Sequence, residues 1–180
     1  QDKDITVEEN ILNSLKKKLD NYKPSSPIEI KQFEDDGIIT LPVEDYKIET
    51  SHIIKNKKIR KFLSFYYGIR GWKMTKPVCW RLTKINKDFN KSSPTARYWH
   101  TDDVRPDYMK LFININNITD QHGPFHALPK KITQKILIDT YGADRYLLKN
   151  KDFDKDVIKG IGPIGHTLFC RTGVCLHRSG

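Results

Sequence analysis

Apolar residues recur at Val7, Ile11, Leu12, Leu15 and Leu19, the spacing of one helix face, with Thr6 and Glu9 at capping-box positions ahead of them. Lys16, Lys17 and Lys18 near the end of this run suit the negative end of a helix dipole. Pro24 and Pro27 stop the pattern. Residues 33–37 (Phe-Glu-Asp-Asp-Gly) then read as a turn, and residues 38–41 as a short strand ended by Pro42. Further on, Ile53, Ile54, Ile59, Phe62, Leu63, Tyr66 and Tyr67 predict one helix over 51–67.

After Gly68 the period shortens. Extended runs at 78–84, 97–102, 109–118, 125–128, 167–171 and 174–178 are separated by Pro, Gly, Asn and Asp turns, as in a β-sandwich or jelly roll. A helix over 131–141 interrupts them, with Ile132, Ile136, Leu137 and Thr140 on one face, and a charged loop follows at 150–159. No internal repeat or low-complexity segment is visible. The expected fold is mainly β with flanking helices (α+β). A single domain spans residues 1–180, with a helical part and an opening strand in 1–75 and a jelly-roll core in 76–180.

Composition narrows the class. A chain of 180 residues and 21.1 kDa can bury the core of one domain. No stretch approaches the ~20 apolar residues of a membrane span, and the N-terminal stretch lacks the apolar centre of a signal peptide, so the expectation is a cytoplasmic protein. Cys79, Cys170 and Cys175 form no CxxC knuckle, and their odd number argues against a disulfide framework. The net charge of +10 suits nucleic acid, an anionic membrane surface or acidic small molecules as partners. No arginine-rich strand, RNP-like aromatic pattern or zinc-finger spacing supports nucleic acid.

The candidate chemistry sits in the extended half. His100 and Asp102, at i and i+2 of a strand, point to one face, and His177 on a distant strand can complete a 2-His-1-carboxylate set. That set leaves adjacent positions open on a metal, the geometry of non-haem Fe(II) oxygenases. Asp103 alternates to the other face. Cys175, His177 and Ser179 share a face. Lys110, Phe112 and Asn114 share another, and the inward polar Asn114 suggests a pocket. Trp80, Thr83 and Tyr98 are candidate pocket walls. His126 is a candidate for approaching the site, whereas His52, His122 and His166 read as structural or exposed.

Four segments carry a family resemblance: FEDDGIITL at 33–41, Trp99-His100-Thr101-Asp102, NNITDQHGPFHALP at 116–129, and GHTLFCRTGVCLHRSG at 165–180. In this order they resemble the opening strand, HxD motif, strand-turn-strand and closing HxSG strand of the phytanoyl-CoA dioxygenase family of Fe(II)/2-oxoglutarate-dependent oxygenases. The resemblance spans residues 33–180 and is specific for the superfamily, not for a substrate. It implies a double-stranded β-helix, lacking its last strand in this chain, with His100, Asp102 and His177 as iron ligands. It further implies a reaction in which 2-oxoglutarate and O2 become succinate and CO2 while a small-molecule or acyl-type substrate is hydroxylated. Retention of Asp102 favours hydroxylation over halogenation. Ser179 matches the serine that contacts the distal carboxylate of 2-oxoglutarate, and Phe112 an aromatic bordering that pocket. The family's partnering arginine stands about ten residues beyond the final histidine, past Gly180; either the chain continues to it, or another cation such as Lys110, Arg81 or Lys84 replaces it. Thr83 joins Lys110, Phe112 and Ser179 in the expected co-substrate pocket. The usual Pro-Gly-Ser-His after the fourth run reads Pro129-Lys130-Lys131-Ile132-Thr133, a departure that bears on the substrate loop.

Two other readings fit the same residues: a cupin-like metal protein of different activity, and a catalytically inactive basic protein binding an anionic polymer. A positive surface favours an anionic small-molecule substrate. Substrate identity and oligomeric state are not written in these residues.

Overall fold

In the computed structural model, α1 (Glu9–Asn21) buries the predicted stripe of Leu12, Leu15 and Leu19. The structure describes residues 5, 7–75, 77–82, 98–140, 153 and 155–180, and the chain divides into two units, Gln1–Ser92 and Ser93–Gly180. The helix starts at Glu9 with Glu8 at its N-cap and no side-chain cap; Thr6 lies outside the described residues. Lys18 donates to Glu49 Oε1 at 2.6 Å, and Ser14 Oγ donates to the same oxygen at 2.6 Å, so a polar clasp joins α1 to the third helix.

Pro27 opens a helix instead of only ending one. Ser26 and Glu29 form a capping box, Ser26 Oγ accepting from Glu29 N at 3.2 Å while Glu29 Oε2 accepts from Ser26 N at 3.1 Å. Proline at the first helical position has no N–H to lose there. The segment expected as a turn at 33–37 is therefore the last turn of α2 (Pro27–Asp36), closed by Gly37 at φ 65°. β1 (Ile38–Thr40) pairs antiparallel with β2 (Trp80–Leu82). The single helix expected over 51–67 is two, α3 (Lys47–Lys55) and α4 (Lys57–Tyr67). They break at Asn56, whose side chain accepts from Lys58 N and Ile59 N and so caps α4.

The second unit holds β3 (Lys110–Ile113), β4 (Phe125–Ala127), α5 (Lys130–Asp139), β5 (Ile158–Lys159), β6 (Thr167–Cys170) and β7 (His177–Ser179). β3 pairs with β6, and β4 lies between β5 and β7, all antiparallel. The chain is thus a mixed α+β protein with three small antiparallel sheets; the described residues close no barrel. The expected extended runs are shorter than their sequence patterns. Of the run at 97–102, His100 makes an isolated bridge and Arg97 lies outside the described residues. The run at 174–178 begins its strand only at His177, because Val174 and Cys175 both donate to Arg171 O at 3.0 Å in a turn. β5 lies in the stretch read as a charged loop.

Trp99, Leu128 and Leu176 form the buried centre of this unit, with Ile132 and Ile136 of α5 and Phe153 and Val157 packed on it. The departure at 129–133 has a structural use. Pro129 precedes α5, and the fully buried Thr133 accepts the Leu176 N–H at 3.0 Å. Gly123 and Gly180 also meet: Gly180 N donates to Pro124 O at 2.8 Å, and a Cβ on Gly123, at φ +64°, would stand 2.8 Å from Gly180 O. The two glycine motifs are two sides of one backbone contact.

Thr133→Val keeps shape but removes the acceptor for a buried N–H. It should lower unfolding free energy by about 1–3 kcal/mol in denaturant titration, with Thr133→Ser recovering most of the loss. An unchanged Thr133→Val midpoint would mean that this hydrogen bond does not hold the strand beside His177.

Candidate metal centre

His100 and His177 face each other across an antiparallel bridge, His100 N donating to His177 O at 3.1 Å and His177 N to His100 O at 2.9 Å. Directly opposed residues in such a pair project to the same side, and the two rings lie with centroids 4.3 Å apart. Two residues on, Asp102 N donates to Thr172 O at 2.9 Å, which keeps Asp102 on the same side as His100. Asp102 Oδ1 is 3.5 Å from His177 Nε2 and 3.8 Å from His100 Nε2. The three side chains each offer a ligand atom within 4.8 Å of the others.

Each histidine has a defined tautomer. His100 Nδ1 lies 2.6 Å from Tyr98 O, and His177 Nδ1 lies 3.1 Å from Cys175 O, in each case the carbonyl two residues earlier. A carbonyl can only accept, so both Nδ1 atoms carry hydrogen and donate. In neutral rings the lone pairs then sit on Nε2, the atoms turned toward Asp102 Oδ1. Whatever lies between these three atoms must be positive, a hydrogen on Nε2 or a cation in its place. A divalent cation could take that place, and backbone carbonyls behind the histidines are the support that metal-ligating imidazoles use. Two nitrogens and one carboxylate oxygen suit ferrous iron or another divalent first-row metal.

The remaining carboxylate oxygen is engaged separately. Lys110 Nζ lies 2.5 Å from Asp102 Oδ2, so one oxygen faces the imidazoles and the other the ammonium. His177 and then Lys110 hold the Asp102 carboxyl well below the usual carboxylate range, against burial, which pushes it up. The sequence placed Lys110 in a co-substrate pocket; the structure puts its side chain on Asp102.

Around the cluster the aromatic rings form a series. Phe112 stacks on Phe125 at 4.1 Å between centroids, and Phe125 lies 5.5 Å from His177. Phe125, which sequence reasoning passed over, pairs with Ser179, so both flank the His177 side of β7. Its signal was available: residues 125 and 127 alternate onto the face opposite His126. His126 pairs with Arg178 on that other face and stacks near Trp99 at 6.4 Å, so it belongs to the core side and not to the cluster. Arg178 lies 4.8 Å over the Trp99 ring, as its alternation required. Asn114, half-buried, donates from Nδ2 to Gly160 O at 3.2 Å, a tie to backbone. Asp103 is exposed, and His122 accepts Thr119 N at its Nδ1, consistent with a structural role. Thr83 and Lys84 lie outside the described residues, as do the side chains of Trp80 and Arg81.

The three thiols are free, and burial pushes Cys79 up to about 11 and Cys170 up to about 12. They behave as packing groups at neutral pH. No helix among the described residues is long and apolar enough to cross a membrane. No family model, no curated protein and no solved structure matches this chain.

Asp102 should stay ionised well below its ordinary 3.8. A depressed carboxyl contributes stability in full above the unfolded value and loses it as pH falls through the folded one. The stability gap between the wild type and Asp102→Asn, measured in chelator, should therefore begin to narrow only below about pH 4. Narrowing that starts near neutrality would show that Asp102 is not held ionised by these contacts.

Proposed function

We propose that this chain is an Fe(II)/2-oxoglutarate-dependent oxygenase related to the phytanoyl-CoA dioxygenases, hydroxylating a small-molecule or acyl-type substrate. The observation that carries this reading is the pair of histidines with Nδ1 tied to backbone carbonyls and Nε2 turned toward one oxygen of Asp102. That donor set fits a ferrous ion on one face and leaves its other face for small ligands. The jelly-roll architecture belongs to the proposal. In it the β3–β6 pair and the β5–β4–β7 sheet would be facing parts of one double-stranded β-helix, and the Phe112–Phe125 stack is the contact that supports this.

His100, Asp102 and His177 would hold the metal. Iron with bound 2-oxoglutarate supplies the oxidising power, coupling conversion of 2-oxoglutarate and O2 to succinate and CO2 with hydroxylation of a substrate C–H bond. Lys110 has two uses. It fixes the Asp102 carboxylate so that Oδ1 stays turned to the imidazoles, and its ammonium offers a positive partner for a co-substrate carboxylate. Four other basic side chains of this unit are engaged elsewhere: Arg171 on Pro106 O, Arg105 with Asp107, Lys159 with Asp120 and Arg178 on Trp99. The Phe112–Phe125 stack walls the His177 side with apolar surface, which excludes water from the ligand positions. Ser179, two residues beyond His177, offers a hydroxyl on the same strand face.

Anaerobic addition of Fe(II) and 2-oxoglutarate should produce the weak visible metal-to-ligand charge-transfer band of a chelated co-substrate. His177→Ala should abolish it, and a band unchanged in that variant would sink the assignment. Lys110→Ala should raise the 2-oxoglutarate concentration for half-maximal band by at least about tenfold, the loss of one charge-assisted contact. A Lys110→Ala titration that matches the wild type would remove Lys110 from co-substrate binding without touching the metal ligands.

A further inference from the structure

Helix α4 and the 3-10 turn after it carry a surface that the oxygenase reading does not use. Phe65 is 88% exposed and Ile69 106% exposed, with Tyr66 beside them at 40%. Lys57, Lys61 and Phe65 follow at helical i, i+4 and i+8, one strip of α4 opposite the buried Ile59. The whole stretch 56–75 contains no aspartate or glutamate, while Lys57, Lys58, Arg60, Lys61, Arg70 and Lys73 are all exposed. Two other strongly exposed apolar side chains have acids beside them. Ile28 of α2, 80% exposed, has Glu29 and Glu34 on its own helix, and Ile138 of α5, 74% exposed, adjoins Asp139.

We propose that the α4 strip and the following turn dock this protein on an anionic lipid surface, with Phe65 and Ile69 entering the headgroup region and the basic rim meeting acidic headgroups. The chemistry selects this occupant. An amphipathic basic helix with apolar tips is the pattern that lies in a membrane interface. Each basic residue near an anionic surface adds about fivefold to partitioning. Nucleic acid would engage the lysines but leave Ile69 without a use, since an aliphatic tip has no π-face for a base. A second copy of the chain would bring two like-charged rims together in a two-fold contact.

The test is co-sedimentation of the full chain with vesicles of phosphatidylcholine alone and of phosphatidylcholine with phosphatidylserine. Binding should require phosphatidylserine, weaken steeply with salt, and fall at least about tenfold for Phe65→Ser/Ile69→Ser and for Lys57→Glu/Lys61→Glu. Because these side chains are exposed, both variants should keep the wild-type melting temperature and far-UV spectrum, and the Fe(II)/2-oxoglutarate band should be unaffected. Absence of binding, equal binding to neutral vesicles, or unchanged binding of both variants overturns the proposal. So does displacement from vesicles by a short RNA that binds both variants as well as it binds the wild type. A concentration-dependent dimer abolished by Phe65→Ser/Ile69→Ser, with no vesicle binding, would assign the patch to self-association and overturn it equally.

Discussion

Two hydrogen bonds, each from a histidine Nδ1 to the carbonyl two residues earlier, are the constraint on which the candidate site depends. They settle which nitrogen of each ring carries hydrogen, and they do so with backbone, which cannot change its role. With both Nδ1 atoms committed to backbone, each Nε2 faces Asp102 Oδ1 and calls for a positive partner, a hydrogen or a metal. Lys110 meets part of that need from the Oδ2 side. The Oδ1 side is the one that a metal could occupy. The ring spacing follows from the main chain: an antiparallel bridge sets His100 against His177 before any side-chain interaction is considered.

The same alternation that assembles the cluster also insulates it. Trp99 and Leu176 precede His100 and His177 and point the other way, into the buried centre with Leu128. Arg178 and His126 follow them onto that side. One face of these strands is therefore core and the opposite face carries the candidate site. Thr133 of α5 ties the two together by taking the Leu176 N–H, the donor next to His177. Gly123 and Gly180 perform a similar task at the strand end, where backbone lies so close on backbone that a side chain would collide.

The first unit is organised differently. Its helices are defined by caps and a polar clasp as much as by apolar stripes: Ser26 with Glu29, Asn56 at the α3–α4 break, and buried Glu49 gathering Ser14 and Lys18. These side chains satisfy backbone donors or one another, so the helix ends are sharp. They also leave a long acid-free stretch whose exposed apolar tips are unusual for a surface helix.

Several features were legible from the chain alone because they rest on short-range rules. Strand alternation placed His100, Asp102 and His177 as candidates on converging faces and sent Asp103 and Arg178 away; leucine spacing drew α1. The capping box at Ser26-Pro27-Ile28-Glu29 is equally local, because proline at a first helical position starts a helix while one further along stops it. Other features could not be read, because they depend on groups far apart in sequence. Nothing near Lys110 announces that its ammonium will lie on Asp102, nor near Asn114 that its amide will be spent on Gly160. Likewise, nothing near Thr133 shows that it will accept from Leu176. The sequence by itself determined which residue types could form a metal face and on which side of each strand they stand, since that follows from a two-residue period. Only the tertiary structure decided the tautomers, the partner of each carboxylate oxygen and the limits of every strand. Those are set by which backbone groups meet across the fold.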